Sequence, residues 1–139
     1  MDTDHDPRAV VQRYYDTVSS GDLSRLDEVL VADLVGHAGA GPTFQDQTAN
    51  LKAWLAGFPD TKVEVRELIR EGDRVSTWIT YHGTHDGEFA GVASTGRATS
   101  IAGWDLVRVS GGKIVEMTSY CDLFTLMNQI GAMPTATPS

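Results

Sequence analysis

Residues 61–85 read TKVEVRELIREGDRVSTWITYHGTH, and their periodicity decides the fold. Apolar and polar side chains alternate through TKVEVRELI (61–69), EGD (71–73) supplies a turn, and RVSTWITYHGTH (74–85) is rich in β-branched and aromatic residues. Period-two patterning interrupted by a turn predicts a strand pair. Downstream, TSIAGWDLVRV (99–109) predicts a third strong strand, SGGK (110–113) a hairpin turn and IVEMTSY (114–120) its partner. Between the pairs, GEFAGVASTGRA (87–98) reads as a looser connection with strand character near Phe89.

Upstream of Asp60 the period is helical. Asp6-Pro7 combines an N-cap with a proline suited to the first helical position, and Val10, Val11, Tyr14 and Val18 recur at helical spacing until Gly21. A second helix is expected from Asp22, with Leu23, Leu26, Val29 and Leu30 on one face. After the glycine-rich break GHAGAGP (36–42), a third is expected from Asp46 to Leu55, with Leu51, Trp54 and Leu55 as its stripe. Helical spacing returns in Leu123, Leu126, Met127 and Ile130, and Gly131 suits the position after a helix end. Three helices, then long mainly antiparallel strands, then a terminal helix make an α+β fold. Its expected form is a cone-shaped, curved, mixed or antiparallel sheet closed by three N-terminal helices and a C-terminal helix. Such a cone is a natural pocket for a flat apolar ligand.

The 139 residues suit a single domain (1–139), with residues 1–5 and 134–139 as frayed tails. Nineteen acidic against eleven basic side chains give a net charge of −8, and the basic residues are scattered singly. Phosphate-backbone recognition needs clustered Lys and Arg, so nucleic acid is not an expected partner. No apolar run approaches a membrane span, and MDTDHDPRAV lacks the basic and apolar regions of a signal peptide. The single cysteine, Cys121, excludes an internal disulfide, and the expected location is cytoplasmic.

Three stretches carry a family resemblance: RYYDTVSSGDLSRLDEVL (13–30), FAGVASTGR (89–97) and GGKIVEMTSYCDLFTLMNQIGA (111–132). Together they resemble the SnoaL-like polyketide cyclases of the nuclear transport factor 2-like superfamily. The strand leaving the G-K-I hairpin, an Asp at its end, and LMNQIG (126–131) are the most specific parts. STGR (94–97) is similar to the family's P-T-G-R, with Ser94 in place of proline. The resemblance implies a cofactor-independent enzyme that closes a ring by an aldol step on a flat polyketide or aromatic substrate, in secondary metabolism such as antibiotic biosynthesis. It also implies a homodimer or homotetramer, the alternation in TKVEVREL and TSIAGWDL being suited to an interface.

In the family, an Asp at the end of this strand removes an acidic C–H proton, and by position that residue is Asp122. Tyr120, Leu123, Phe124 and Leu126 are expected to supply apolar surroundings that raise its pKa toward a useful value. Asp122 is equally placed to cap the terminal helix, and the two roles are compatible. Asp105 shares a strand face with Ile101, Gly103 and Val107. It stands where the family often carries a pocket histidine, and could form a carboxylate pair with Asp122 or simply be paired elsewhere. His37 falls where relatives place a polar pocket-wall residue, able to donate to a developing enolate or to be a loop histidine.

Tyr14, Trp54, Trp78, Phe89, Trp104 and Tyr120 are the candidate substrate-binding aromatics, core packing being the alternative for each. His82 and His85 complete no metal-ligand set, and no metal or other cofactor is expected. Cys121 lacks the electropositive setting of a reactive thiol. Two other readings stay open: a hydroxylase, isomerase or epoxide hydrolase on the same scaffold, which an Asp105–Asp122 pair would suit, and a non-catalytic ligand-binding dimer.

Overall fold

The structure, a computed structural model, describes residues 6–38, 43, 44 and 46–132; both predicted tails and part of the glycine-rich break lie outside them. In chain order the elements are α1 (Pro7–Ser20), a 3₁₀ helix (Leu23–Glu28), β1 (Leu30–Ala38), β2 (Thr43–Phe44), α2 (Gln47–Gly57), β3 (Lys62–Glu71), β4 (Arg74–Thr84), β5 (Ala98–Ser110), β6 (Lys113–Cys121) and α3 (Leu123–Gln129). One curved mixed sheet runs in the order β2-β1-β6-β5-β4-β3. All its pairings are antiparallel except β1 with β6.

The expected second helix is corrected. Only Leu23–Glu28 is helical, as a 3₁₀ segment, and the chain then enters β1. Leu26, Leu30 and Leu34, all buried, recur every four residues. The expected helical stripe of Leu23, Leu26, Val29 and Leu30 covers only the 3₁₀ segment, the residue that caps it and the first residue of the strand. The β-branched Val29, Val31 and Val35 favour the extended form.

Each helical segment starts with an aspartate cap: Asp6 on the amide of Arg8, Asp22 on Ser24, Asp46 on Ala49 and Asp122 on Thr125. These carboxylates accept amide protons that have no partner within the helix. Helix α1 lies across the concave face of the sheet. Its buried Val10, Val11, Tyr14, Tyr15 and Val18 pack with Val75, Ile79, Val107, Ile114 and Met117 of β4–β6. A second cluster, Phe58, Ile101, Leu126 and Ile130 with Trp54, Tyr81 and Phe89 against it, closes the end of the cone between α2 and α3. Over that end runs the strap 85–97, joining β4 to β5. It is fixed to α2 by the Asp86 and Gly87 amides, which both donate to the Gly57 carbonyl at 3.1 Å. Its tip turns tightly between Phe89 and Val92, which form an isolated bridge, so the strand character expected near Phe89 amounts to that single pair.

Candidate active site on the concave face

Alternate residues of β5 point inward, and Thr99, Ile101, Gly103, Asp105, Val107 and Val109 are the buried set. Asp105 is thus carried into the core by strand parity, 3% exposed. Three groups hold it in a closed circuit. The Asp105 amide donates to Thr77 Oγ1 at 2.8 Å, Thr77 Oγ1 lies 2.8 Å from the Tyr15 hydroxyl, and that hydroxyl donates to the Asp105 carboxylate. The amide can only donate, so with Asp105 ionised the protons run from amide to Thr77, from Thr77 to Tyr15 and from Tyr15 to the carboxylate. With Asp105 protonated, the last two can reverse. The carboxyl thus keeps its bond to Tyr15 in either charge state, and the protonated state leaves the Thr77 proton without an acceptor in the circuit.

Burial pushes the Asp105 carboxyl above its ordinary range, while the Ser119 and Tyr15 hydroxyls pull it partly back. Among the described residues, no cationic side chain bonds to it. Its field reaches its neighbours. Burial first, then the Asp105 charge, raise the phenols of Tyr14, Tyr15 and Tyr81, and the same two causes push the Cys121 thiol up to about 11. The thiol stays protonated, in line with the unreactive character expected of it.

Beside this centre, Tyr14 accepts a hydrogen bond from Gln47 Nε2 at 2.6 Å, which leaves its own proton free to donate. Tyr81 lies flat on β5 because position 103 is glycine: a Cβ there would come within 2.7 Å of the Tyr81 ring. Trp54 adjoins Tyr81 at 5.4 Å between ring centroids and Phe58 and Phe89 at 5.2 Å each, forming an aromatic wall.

The predicted site residues divide by face. Asp105, Tyr14, Trp54 and Phe89 lie on the concave side. Trp78, Trp104 and Tyr120 do not line the cone; they are 51%, 50% and 47% exposed on the outer face. The reason is parity: Trp104 neighbours the inward Asp105 and pairs with Tyr120, and Trp78 neighbours the inward Thr77. His37 is also corrected to the outer face, since it pairs with Thr118, which pairs in turn with the exposed Leu106.

Asp122 accepts from the Thr125 amide at 3.0 Å and hydroxyl at 2.6 Å. These bonds hold its carboxyl below the ordinary range, and it is open to solvent. The apolar surroundings expected there are absent: Leu123 and Phe124 are exposed along with Tyr120, and only Leu126 is buried. Tyr15, Thr77, Ser119, Gln47 and Tyr81 were not among the predicted residues. Tyr15 had a usable signal, lying four residues after Val11 on the buried stripe of α1.

Three comparisons bear on this geometry. Residues 8–130 match the family model described as SnoaL-like polyketide cyclase. No curated protein matches the chain. Among solved structures, AclR of Streptomyces galilaeus, a candidate hydroxylase, superposes with a TM-score of 0.85 at 28% identity, covering 94% of this chain and 84% of that one. IdmH of Streptomyces antibioticus, a candidate polyketide cyclase, gives 0.81 at 31% identity, with coverages of 91% and 99%. A candidate SnoaL-like polyketide cyclase from Jannaschia sp. CCS1 gives 0.82 at 24% identity, with coverages of 92% and 93%, and supports the fold.

Proposed function

Because this chain belongs to the SnoaL-like polyketide cyclase family, we propose that it is an enzyme acting on a flat, polyketide-type small molecule held on the concave face, with Asp105 as general acid and base. The observation that carries this is a buried carboxyl, without a cationic partner among the described residues, that keeps its hydrogen bond to Tyr15 in either protonation state. A carboxylate whose ionisation burial disfavours is a stronger base than one in water. It takes the acidic C–H proton flanked by carbonyls, and the electron pair moves onto the substrate's oxygens. The free Tyr14 proton is available to such an oxygen. The carbanion then forms a carbon–carbon bond to a second carbonyl, and the resulting alkoxide recovers the proton from Asp105. The substrate delocalises its own charge, so no cofactor is needed, and the protein positions it and moves one proton. Asp122 caps α3 at the rim and takes no part in this step.

The test is turnover on a polyketide diketone that cyclises. Asp105→Asn keeps the shape and is expected to lower kcat at least about 100-fold, whereas Asp122→Asn stays within about threefold. The reverse ranking would return the base to Asp122. A second reading is favoured by the likeness to AclR: the same carbanion reacts with dissolved dioxygen and is hydroxylated, while a reduced co-substrate supplies the two electrons that take the other oxygen atom to water. Mass spectrometry separates the two, since hydroxylation adds an oxygen and cyclisation conserves mass.

The partner we propose for the outer sheet face is a second copy of the chain. Trp78, Trp104, Leu106 and Tyr120 lie side by side there, with Trp104 and Tyr120 stacked at 5.9 Å. Large apolar side chains exposed together in this way mark an interaction surface. The net charge of −8 would repel a second copy, but the charges around this patch are paired, Arg66 with Glu64 and Arg108 with Glu116. We place the enzyme in the cytoplasm, in antibiotic-type secondary metabolism.

A further inference from the structure

His85 follows β4 directly and continues the inward parity of Tyr81 and Gly83. Its backbone anchors the strap: its amide donates to the Arg97 carbonyl at 2.9 Å, and its carbonyl accepts from the amides of Thr95 and Gly96 at 3.2 and 2.8 Å. Its ring is wholly buried and lies 5.4 Å from that of Phe58. The Thr95 hydroxyl is 2.9 Å from Nδ1, and the Thr95 amide donates to the same nitrogen at 3.3 Å. Because an amide can only donate, Nδ1 is the unprotonated nitrogen, and the neutral imidazole carries its proton on Nε2.

That Nε2 is the one buried side-chain nitrogen or oxygen among the described residues with no hydrogen-bond partner. Leaving a buried donor unmet costs about 1–3 kcal/mol, so the position calls for an acceptor. The two ring nitrogens point away from each other, which turns Nε2 away from Thr95. Phe58, beside whose ring that of His85 lies, belongs to an apolar cluster with Leu126, Ile130, Trp54 and Phe89, whose side chains supply no acceptor.

We propose that the Nε2–H of His85 is a ligand-binding donor, held in a single tautomer by Thr95, that meets an uncharged oxygen of the bound molecule such as a ring carbonyl or hydroxyl. The inference rests on the reading of the concave face as the site of a planar polyketide. An uncharged oxygen suits these apolar surroundings, because an anion would be buried there without a counter-ion. Phe89, which lies 5.1 Å from Phe58 and is carried by the strap, is the side chain such a ligand displaces on entry. His85 is thereby a specificity-determining residue, at a distance from the proton chemistry at Asp105.

The probe is 1,8-dihydroxyanthraquinone, titrated into protein carrying ¹⁵N-histidine. In the free protein the His85 ring is expected as the Nε2–H tautomer, and its Nε2 proton shifts downfield as the probe saturates. His85→Phe, which keeps the ring and removes the donor, is expected to raise Kd about tenfold, the worth of one hydrogen bond. Thr95→Val leaves the Nε2 donor in place and changes Kd less than about threefold. Probe binding that leaves both the Nε2 resonance and the His85→Phe affinity unchanged overturns this inference alone. So does an Nε2 proton already downfield in the free protein and unmoved by the probe, the mark of a resident water. If wild-type protein binds no hydroxyanthraquinone, the reading of the concave face falls and this inference falls with it. Should His85→Phe fail to fold, the wild-type Nε2 resonance decides.

Discussion

Asp105 and Asp122 illustrate how environment separates two identical side chains. One is desolvated and pushed up; the other is solvated, bonded to Thr125 and held down. The buried group links stability to pH with a definite sign. Below the ordinary carboxylate value of 3.8 it is protonated whether the chain is folded or not. As pH rises through that value, the unfolded chain loses its proton while folded Asp105 keeps it, so stability falls until the folded carboxyl ionises too. Asp105→Asn removes this dependence. In urea unfolding the variant is expected to match the wild type near pH 3 and to exceed it at pH 7, by about 1.4 kcal/mol for each tenfold by which burial disfavours ionisation. A gap that did not widen with pH would mean that Asp105 ionises as freely as in the open chain. Reading Asp105 as an inward residue needed only the alternation of β5. Its partners were hidden because they come from α1 and β4, far apart in sequence.

At the scale of elements, helix α3 has seven residues and depends on its start. Asp122→Ala strips the acceptor from both the amide and the hydroxyl of Thr125, and is expected to lower stability by about 1 kcal/mol in the same unfolding assay. Asp122→Asn should cost a few tenths. Strands β3 to β6 were legible to within two residues because alternation and turn residues agree there. What periodicity could not supply was register. Counting back from the Ser110–Lys113 turn places Asp105 opposite Thr118, but a bulge between Arg108 and Val109 shifts the ladder by one and brings Ser119 opposite instead. A one-residue slip exchanges the faces of a strand. Strand β1 escaped notice because the helical spacing of Leu23, Leu26, Val29 and Leu30 runs through the 3₁₀ segment up to the first residue of the strand.

For the whole molecule, one sheet serves two purposes, with chemistry proposed for its concave side and association for its outer side. Trp104→Glu sets a charge in the centre of the outer patch without touching the core. Light scattering is expected to show a dimer for the wild type and a monomer for the variant, with the far-ultraviolet spectrum unchanged. A wild-type monomer at high micromolar concentration would remove the second copy from the proposal. The candidate substrate-binding aromatics are split between the two faces, Trp78, Trp104 and Tyr120 falling outside because strand neighbours point apart.

That division also distributes the chain's three tryptophans. Trp54 adjoins Tyr81 and Phe89 on the concave side, while Trp78 and Trp104 stand half in solvent outside. The protein thus carries two separate optical reporters. Emission from Trp54 should respond to whatever enters the cone, and the red-shifted, acrylamide-quenchable emission of the other two should respond to what covers the sheet. With each fluorophore isolated by Trp→Phe exchange of the others, ligand entry and subunit association can be timed independently in a single solution.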